Sequence, residues 1–266
     1  MPSSHTSHES TSTTDEPEVS KEEEKVLILD KLSHQSTEEL KQEILRLTEN
    51  RDTEPLNQKV LFYKNSLAPL FEELSRRNPF KNAEEQVSLV PGVWSPIWST
   101  IPFQDSLPGR IRQQSYQIFH DNGYYANLAR YAPGNKLPFL QKLSSIIAYD
   151  LMLIQKFEVL NGQWYIQNIG IKQAFRIRAI SLGIDKAEKW FPAAVNSNSK
   201  GDFQTVDSTK ALQMKSLDKS TVKKFKKAFL ATPQFEHLYI DRDFRLVKTQ
   251  REAKQRPSYT VAVRRQ

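Results

Sequence analysis

Hydrophobic residues first recur at helical spacing in this chain and later at strand spacing. Leu40, Ile44 and Leu47 form one stripe behind Ser36-Thr37-Glu38-Glu39, where the Ser36 hydroxyl can accept from the Glu39 amide while the Glu39 carboxylate reaches back. Val60, Leu67, Leu70, Phe71 and Leu74 repeat the spacing after Pro55, and Asn78-Pro79 ends the run. The pattern predicts a helical lead-in over 25–80 with two amphipathic helices, the second kinked at Pro69.

Beyond Pro91 the period shortens. Gln114 to His120 alternates toward Asp121-Asn122-Gly123, which predicts a two-residue hairpin, and Tyr124 to Tyr131 is its return strand. Ala148 to Leu160 and Trp164 to Gly170 flank Asn161-Gly162. Residues 172–178, with Arg176 and Arg178, predict a further strand, and so do 206–217, His237 to Lys248 and Ser258 to Arg264. Residues 196–202 read as a polar loop. Over 218–231 a late helix is predicted, with Val222, Phe225, Phe229 and Leu230 on one face and Lys223, Lys224, Lys226 and Lys227 on the other. Short, mostly hairpin-linked strands suit a mainly-β fold. An antiparallel barrel over 81–266 is expected, because closure removes exposed edges and leaves an interior for side chains or one small ligand.

Composition narrows the class. Residues 1–24 are polar, with seven acidic side chains against Lys21, and read as a disordered acidic head. They hold no apolar core of a secretory signal and lack the Arg-rich, acid-poor character of a transit peptide, so a cytoplasmic protein is expected. No apolar run approaches the roughly 18–20 residues that span a bilayer; Ile146 to Ile154 is broken by Tyr149 and Asp150. Cysteine is absent, which excludes disulfides and thiolate chemistry. The net charge is +7 despite the acidic head, so the body is strongly basic and suits an anionic partner such as a membrane surface. Nucleic-acid binding would need aromatics interleaved with cations on an open surface. Phe225 falls instead on the buried face of its helix, so no nucleic-acid partner is expected.

Catalytic signals are missing. Outside the head, His34, His120 and His237 share no motif spacing, and no nucleophile elbow, metalloprotease helix, phosphate loop or dinucleotide fingerprint occurs. Asp241 and Asp243 form a carboxylate pair of weak spacing. A non-catalytic chain without metal or cofactor is expected.

One segment is more specific. Gly92-Val93-Trp94 would open the first strand; Gly92 permits close backbone approach, and Trp94 can plug one barrel end. A Gly-x-Trp at this place resembles the opening signature of lipocalins. Phe71-Glu72-Glu73-Leu74-Ser75-Arg76-Arg77-Asn78-Pro79, then Gly92-x-Trp94 and Trp98-Ser99-Thr100, is similar to the start of the plastid-lipid-associated (fibrillin) domain. Tyr116-Gln117, Gly123 and Asn127 look like its next strand pair, and Tyr239-Ile240-Asp241-Arg242-Asp243-Phe244-Arg245-Leu246 like its late Tyr-Leu-Asp-x-Asp-Leu-Arg-Ile element. The likeness covers about residues 36–131 and 235–265; the basic, Gly-free stretch 248–257 departs from the family's short hairpin.

The resemblance implies a lipocalin-like barrel that binds an isoprenoid, quinone, carotenoid or acyl lipid and associates peripherally with thylakoids or lipid globules. It implies a late-strand arginine beside Trp94, with Arg264 the first choice and Arg245 the second. The candidate ligand lining is Trp98, Phe119, Ile154, Tyr165 and Ile169, with Tyr239 or Asp241 as a polar handle. Lys223, Lys224, Lys226 and Lys227 are the candidate membrane-facing charges. Two other readings compete: a ligandless membrane-surface protein whose aromatics only fill the core, and a basic nucleic-acid-binding module.

Overall fold

The capping box at Ser36 forms: the Glu39 N–H donates to Ser36 Oγ at 3.2 Å and the Ser36 N–H to Glu39 Oε2 at 2.7 Å. The structure is a computed structural model that describes residues 21–102, 109–132, 146–199, 234–250 and 255–265. The expected strand at 206–217 and the expected lysine helix at 218–231 lie outside the described residues, as do residues 1–20.

Among the described residues, three helical stretches, one more than expected, make up the lead-in as far as Arg76. Helix α1 (Lys21–Ser33) takes up the end of the presumed disordered head, and α2 (Thr37–Thr48) follows. The third stretch is α3 (Leu56–Phe62), a π-helical turn Tyr63–Leu67, and α4 (Ala68–Arg76). Pro69 does not kink an α-helix interior. It sits in the first turn of α4, and the wider π turn ahead of it accommodates the missing N–H. Arg77 donates to the carbonyls of Leu32 and Ser33 at 3.0 and 3.1 Å and so fixes the corner between α1 and α2. Leu40, Ile44, Leu70, Phe71 and Leu74 pack on Trp98, Phe244, Leu246 and Val261, burying the helical stripe against the sheet. Helix α5 (Ala83–Gln86) and a 3-10 turn (Val87–Leu89) lead into the first strand.

Among the described residues the sheet is a closed antiparallel barrel of eight strands in sequence order, with the last returning to the first. The strands are β1 (Gly92–Ser99), β2 (Arg110–Phe119), β3 (Tyr124–Tyr131), β4 (Ile147–Leu160), β5 (Gln163–Ile177), β6 (Gln234–Ile240), β7 (Phe244–Gln250) and β8 (Ser258–Arg265). Asn161 and Gly162, at φ +52 and +75, make the two-residue turn between β4 and β5. The β2–β3 turn is longer than expected. His120 N–H bonds the Tyr124 carbonyl at 2.9 Å, leaving Asp121, Asn122 and Gly123 as the loop, with Gly123 at φ +82.

Three sequence expectations are corrected. Residues 172–177 continue β5 rather than forming a separate strand, and Arg178 lies just beyond its end. His237 to Lys248 is two strands, because Asp241 Oδ1 accepts the N–H groups of Asp243 and Phe244 and turns the chain without a glycine. Residues 184–199, part of which had read as a polar loop, form helix α6. Its Pro192 had masked the helical spacing of Ala187, Phe191 and Ala194, which pack on Tyr116, Ile118, Leu128 and Met152.

Both faces of much of the sheet are therefore covered. The lead-in helices pack outside β1 and β6–β8, and α6 packs outside β2–β4. Bulges at Ile97, Ile169 and Leu238 each shift the register, so the residues beyond them exchange faces.

Candidate ligand-binding site

Among the described residues, the barrel interior has a closed end and an open end. At the closed end Trp94, Phe119, Tyr125, Phe157 and Trp164 form an aromatic floor. Phe119 and Tyr125 stack with centroids 4.5 Å apart and planes 2° from parallel. Trp94 is fully buried, and its Nε1–H donates to the Val90 carbonyl at 2.8 Å. Arg264 lies 4.1 Å from the Trp94 ring centre and donates to the carbonyls of Pro91 and Leu89 at 2.6 and 2.5 Å. Gly92 makes this possible: at φ +120, a Cβ there would stand 2.6 Å from Arg264 Nη1.

Above the floor is a cavity of about 420 Å³. A band of amides crosses its wall. Gln117 Nε2 donates to Asn127 Oδ1 at 3.0 Å, Asn127 Nδ2 to Gln155 Oε1, and Gln155 Nε2 to Asn168 Oδ1 at 2.7 Å. Toward the mouth, Leu151, Leu153, Ile171 and Val247 supply apolar wall, and Ile101, Pro102 and Arg256 lie at the opening.

Arg245 lines the inner part of this cavity and is fully buried. Its guanidinium lies 4.6 Å from the Phe119 ring centre and 4.9 Å from that of Trp94. Among the described residues none of its Nε, Nη1 and Nη2 atoms has a hydrogen-bond partner. Burial, opposed by the Tyr125 hydroxyl and reinforced by Arg264, lowers its pKa to about 9, so it is charged at neutral pH. Two ring contacts at about 0.5–2 kcal/mol each fall short of the several kcal/mol that burying an ion costs. Gln117 Oε1, on the same wall, also lacks a donor.

The chain matches no family model and no curated protein.

Most of the lining expected from sequence faces the wrong way. Trp98 is fully buried, but beyond the Ile97 bulge it points out under the helices, against Phe71. Tyr239, beyond the Leu238 bulge, joins the same outer cluster. Ile154 and Ile169 pack toward α6, and Tyr165 is 41% exposed. Phe119 does face inward, as part of the floor. Asp241 is no ligand handle either. It accepts from Lys41 Nζ at 2.8 Å and from the Tyr239 hydroxyl at 2.9 Å, tying the β6–β7 turn to α2. Burial raises its pKa, but the Lys41 bond, with those from Asp243, Tyr239 and Phe244, outweighs this and holds the carboxyl below the usual range. The sequence reading missed the amide band, whose signal was polar residues in mid-strand: Gln117, Asn127, Gln155 and Asn168. Lys223, Lys224, Lys226 and Lys227 lie outside the described residues.

Between β5 and β6 the described residues pair once, Trp164 with Phe235. Side chains reinforce this seam. Gln86 Oε1 accepts from Trp164 Nε1 at 3.0 Å and lies 3.2 Å from His237 Nδ1. Burial, with the charge of Arg245, holds the His237 pKa well below 6.5, so the folded protein keeps the ring neutral. In the unfolded chain His237 takes a proton near pH 6.5, and stability falls as pH drops below that value. Between pH 6.5 and 5 this group should remove about 1.6 kcal/mol of stability, with a slope that steepens toward about 1.4 kcal/mol per pH unit as the unfolded imidazole becomes fully protonated, read from urea titrations. His237→Gln should flatten that slope; an unchanged slope would assign it to other groups.

Proposed function

We propose that this protein binds a hydrophobic small molecule or lipid, of acyl or isoprenoid type, inside the barrel, and that its role is binding rather than catalysis. The observation that carries this reading is the cavity: about 420 Å³ lies within the usual range of small-molecule sites, roughly 300–1,000 Å³, with apolar wall above an aromatic floor. A packed interior would instead have favoured the ligandless structural reading. Among the described residues no cluster of potential metal ligands occurs. The closed order of eight antiparallel strands and the Gly92–Trp94–Arg264 closure support a lipocalin-like barrel of the fibrillin kind.

We extend the proposal to peripheral association with a lipid surface, such as a thylakoid or lipid globule. Ile146, Phe175, Ile177 and Ile180 are all at least half exposed at the mouth end, where β4 begins and β5 ends. Arg176 and Arg178 alternate with them, a mix of apolar and cationic groups that suits an anionic interface. No helix among the described residues is long and apolar enough to cross a membrane.

Trp94 and Trp164 in the floor provide the readout. Titration with decylubiquinone, retinol and palmitate should quench tryptophan fluorescence saturably for at least one of them. Ala129→Phe, which puts bulk into the cavity wall, should abolish that response while leaving the far-UV circular dichroism unchanged. If no probe saturates, or if the filled cavity responds equally, the binding reading fails.

A further inference from the structure

We infer that the cavity selects an amphipathic acid and seats its carboxylate against Arg245 at the inner end, with the apolar chain running toward the mouth. This deepens the proposed binding function and rests on it.

Four observations converge on this assignment. Arg245 is fully buried, yet all three guanidinium nitrogens lack an acceptor. A guanidinium presents N–H donors in a planar fork that matches the two oxygens of a carboxylate. No Asp or Glu is among the described residues that line the cavity, whereas Arg110 and Arg256 line it together with Arg245, so the charge on the described lining is positive. Tyr125 lines the same cavity from β3, across the barrel from Arg245 on β7, and its hydroxyl is near enough to affect the ionisation of Arg245. Finally, Leu151, Leu153 and Val247 continue the wall away from Arg245, where a hydrocarbon chain would lie.

Arg264 has a different part. Its guanidinium is bonded to backbone carbonyls at the closed end, which makes it a closure residue. Arg110 is faced by the Asp52 carboxylate at 3.8 Å. Among the described cations that line the cavity, Arg245 is the one whose hydrogen-bonding groups are both buried and unmatched.

The test uses the full chain with cis-parinaric acid, whose fluorescence rises in apolar surroundings, and with its methyl ester, which has the same chain and no charge. The acid should bind at least tenfold more tightly than the ester at pH 7.5, and Arg245→Met should reduce that preference to less than threefold. The Arg256→Gln variant should keep most of it. Circular dichroism and a urea melt establish whether Arg245→Met is folded. A second measurement needs no variant: the carboxyl carbon of bound 13C-labelled palmitate should hold its ionised chemical shift from pH 8 down to pH 5, because a buried cation favours the charged form.

Equal binding of acid and ester by the parent protein would overturn the head-group assignment and leave the cavity reading intact. Binding of neither would remove the cavity reading as well. Loss of the acid preference in Arg256→Gln but not in Arg245→Met, or a bound carboxyl that titrates as it does in water, would place the head at the mouth and overturn the assignment.

Discussion

Trp94→Ala should lower the unfolding free energy by about 3–5 kcal/mol, the usual cost of removing a large buried aromatic. The ring is fully buried in a cluster with Val90, Phe119 and Ile240. Two further losses add to the void. The Val90 carbonyl loses its indole donor, and Arg264 and Arg245 lose the ring beneath their charges. Trp94→Phe separates these effects. It keeps most of the ring and removes the N–H bond, worth about 1 kcal/mol. Urea denaturation of the three proteins should show a large drop in midpoint for alanine and a small one for phenylalanine, with similar slopes. A loss below about 1 kcal/mol for Trp94→Ala would mean that the floor closes without the indole.

Asp52→Ala should cost a similar amount, about 3–5 kcal/mol, because it takes the anion out of a buried ionic cluster. Asp52 lies in the 3-10 turn Arg51–Thr53, between the lead-in helices and the sheet. Its Oδ1 accepts the Ser99 N–H at 3.0 Å, at the end of β1, and its Oδ2 accepts Arg112 Nε at 2.7 Å, on β2. Buried Lys59 reaches Oδ1 at 3.4 Å, and buried Arg110 stands 3.8 Å from Oδ2. Without the carboxylate, Lys59 and Arg110 lose the negative charge that faces them. Asp52→Asn keeps an acceptor for Ser99 but not the charge, so it should fall between the parent and alanine. If asparagine and parent melt together, the hydrogen bond to β1, not the ion cluster, holds the lead-in to the barrel.

Both residues show what local pattern conveys. The helical stripes, the capping box at Ser36 and the Asn161-Gly162 turn were legible because each depends on neighbours within a few positions. The Gly92-x-Trp94 element was legible as well, since the backbone freedom of Gly92 is what lets Arg264 reach the carbonyls beside Trp94. Asp52 gave no such signal. Its partners Ser99, Arg110 and Arg112 are 47 to 60 residues away, and nothing near Asp52 marks it as buried.

The faces of the strands are the harder case. Alternation identifies an inside and an outside only where one face meets water. Here the outer face is covered by α6 over β2–β4 and by the lead-in helices over β1 and β6–β8, so the large apolar residues Ile118, Leu128 and Ile154 are buried outside the barrel. The inner wall beside them carries the amides Gln117, Asn127 and Gln155, which are satisfied by one another across the strands. A hydrophobic pattern read alone assigns those two faces in reverse.

The sequence by itself thus determined that the chain forms amphipathic helices followed by a mainly-β region with hairpin turns, because side-chain period and turn chemistry are local properties. Only the tertiary structure decided which side chains reach the cavity. Bulges at Ile97 and Leu238 turn Trp98 and Tyr239 outward, and closure of the ring brings Arg245 on β7 against Phe119 on β2. A single inserted residue exchanges the two faces of a strand, and whether it is accommodated depends on partner strands far away in the chain.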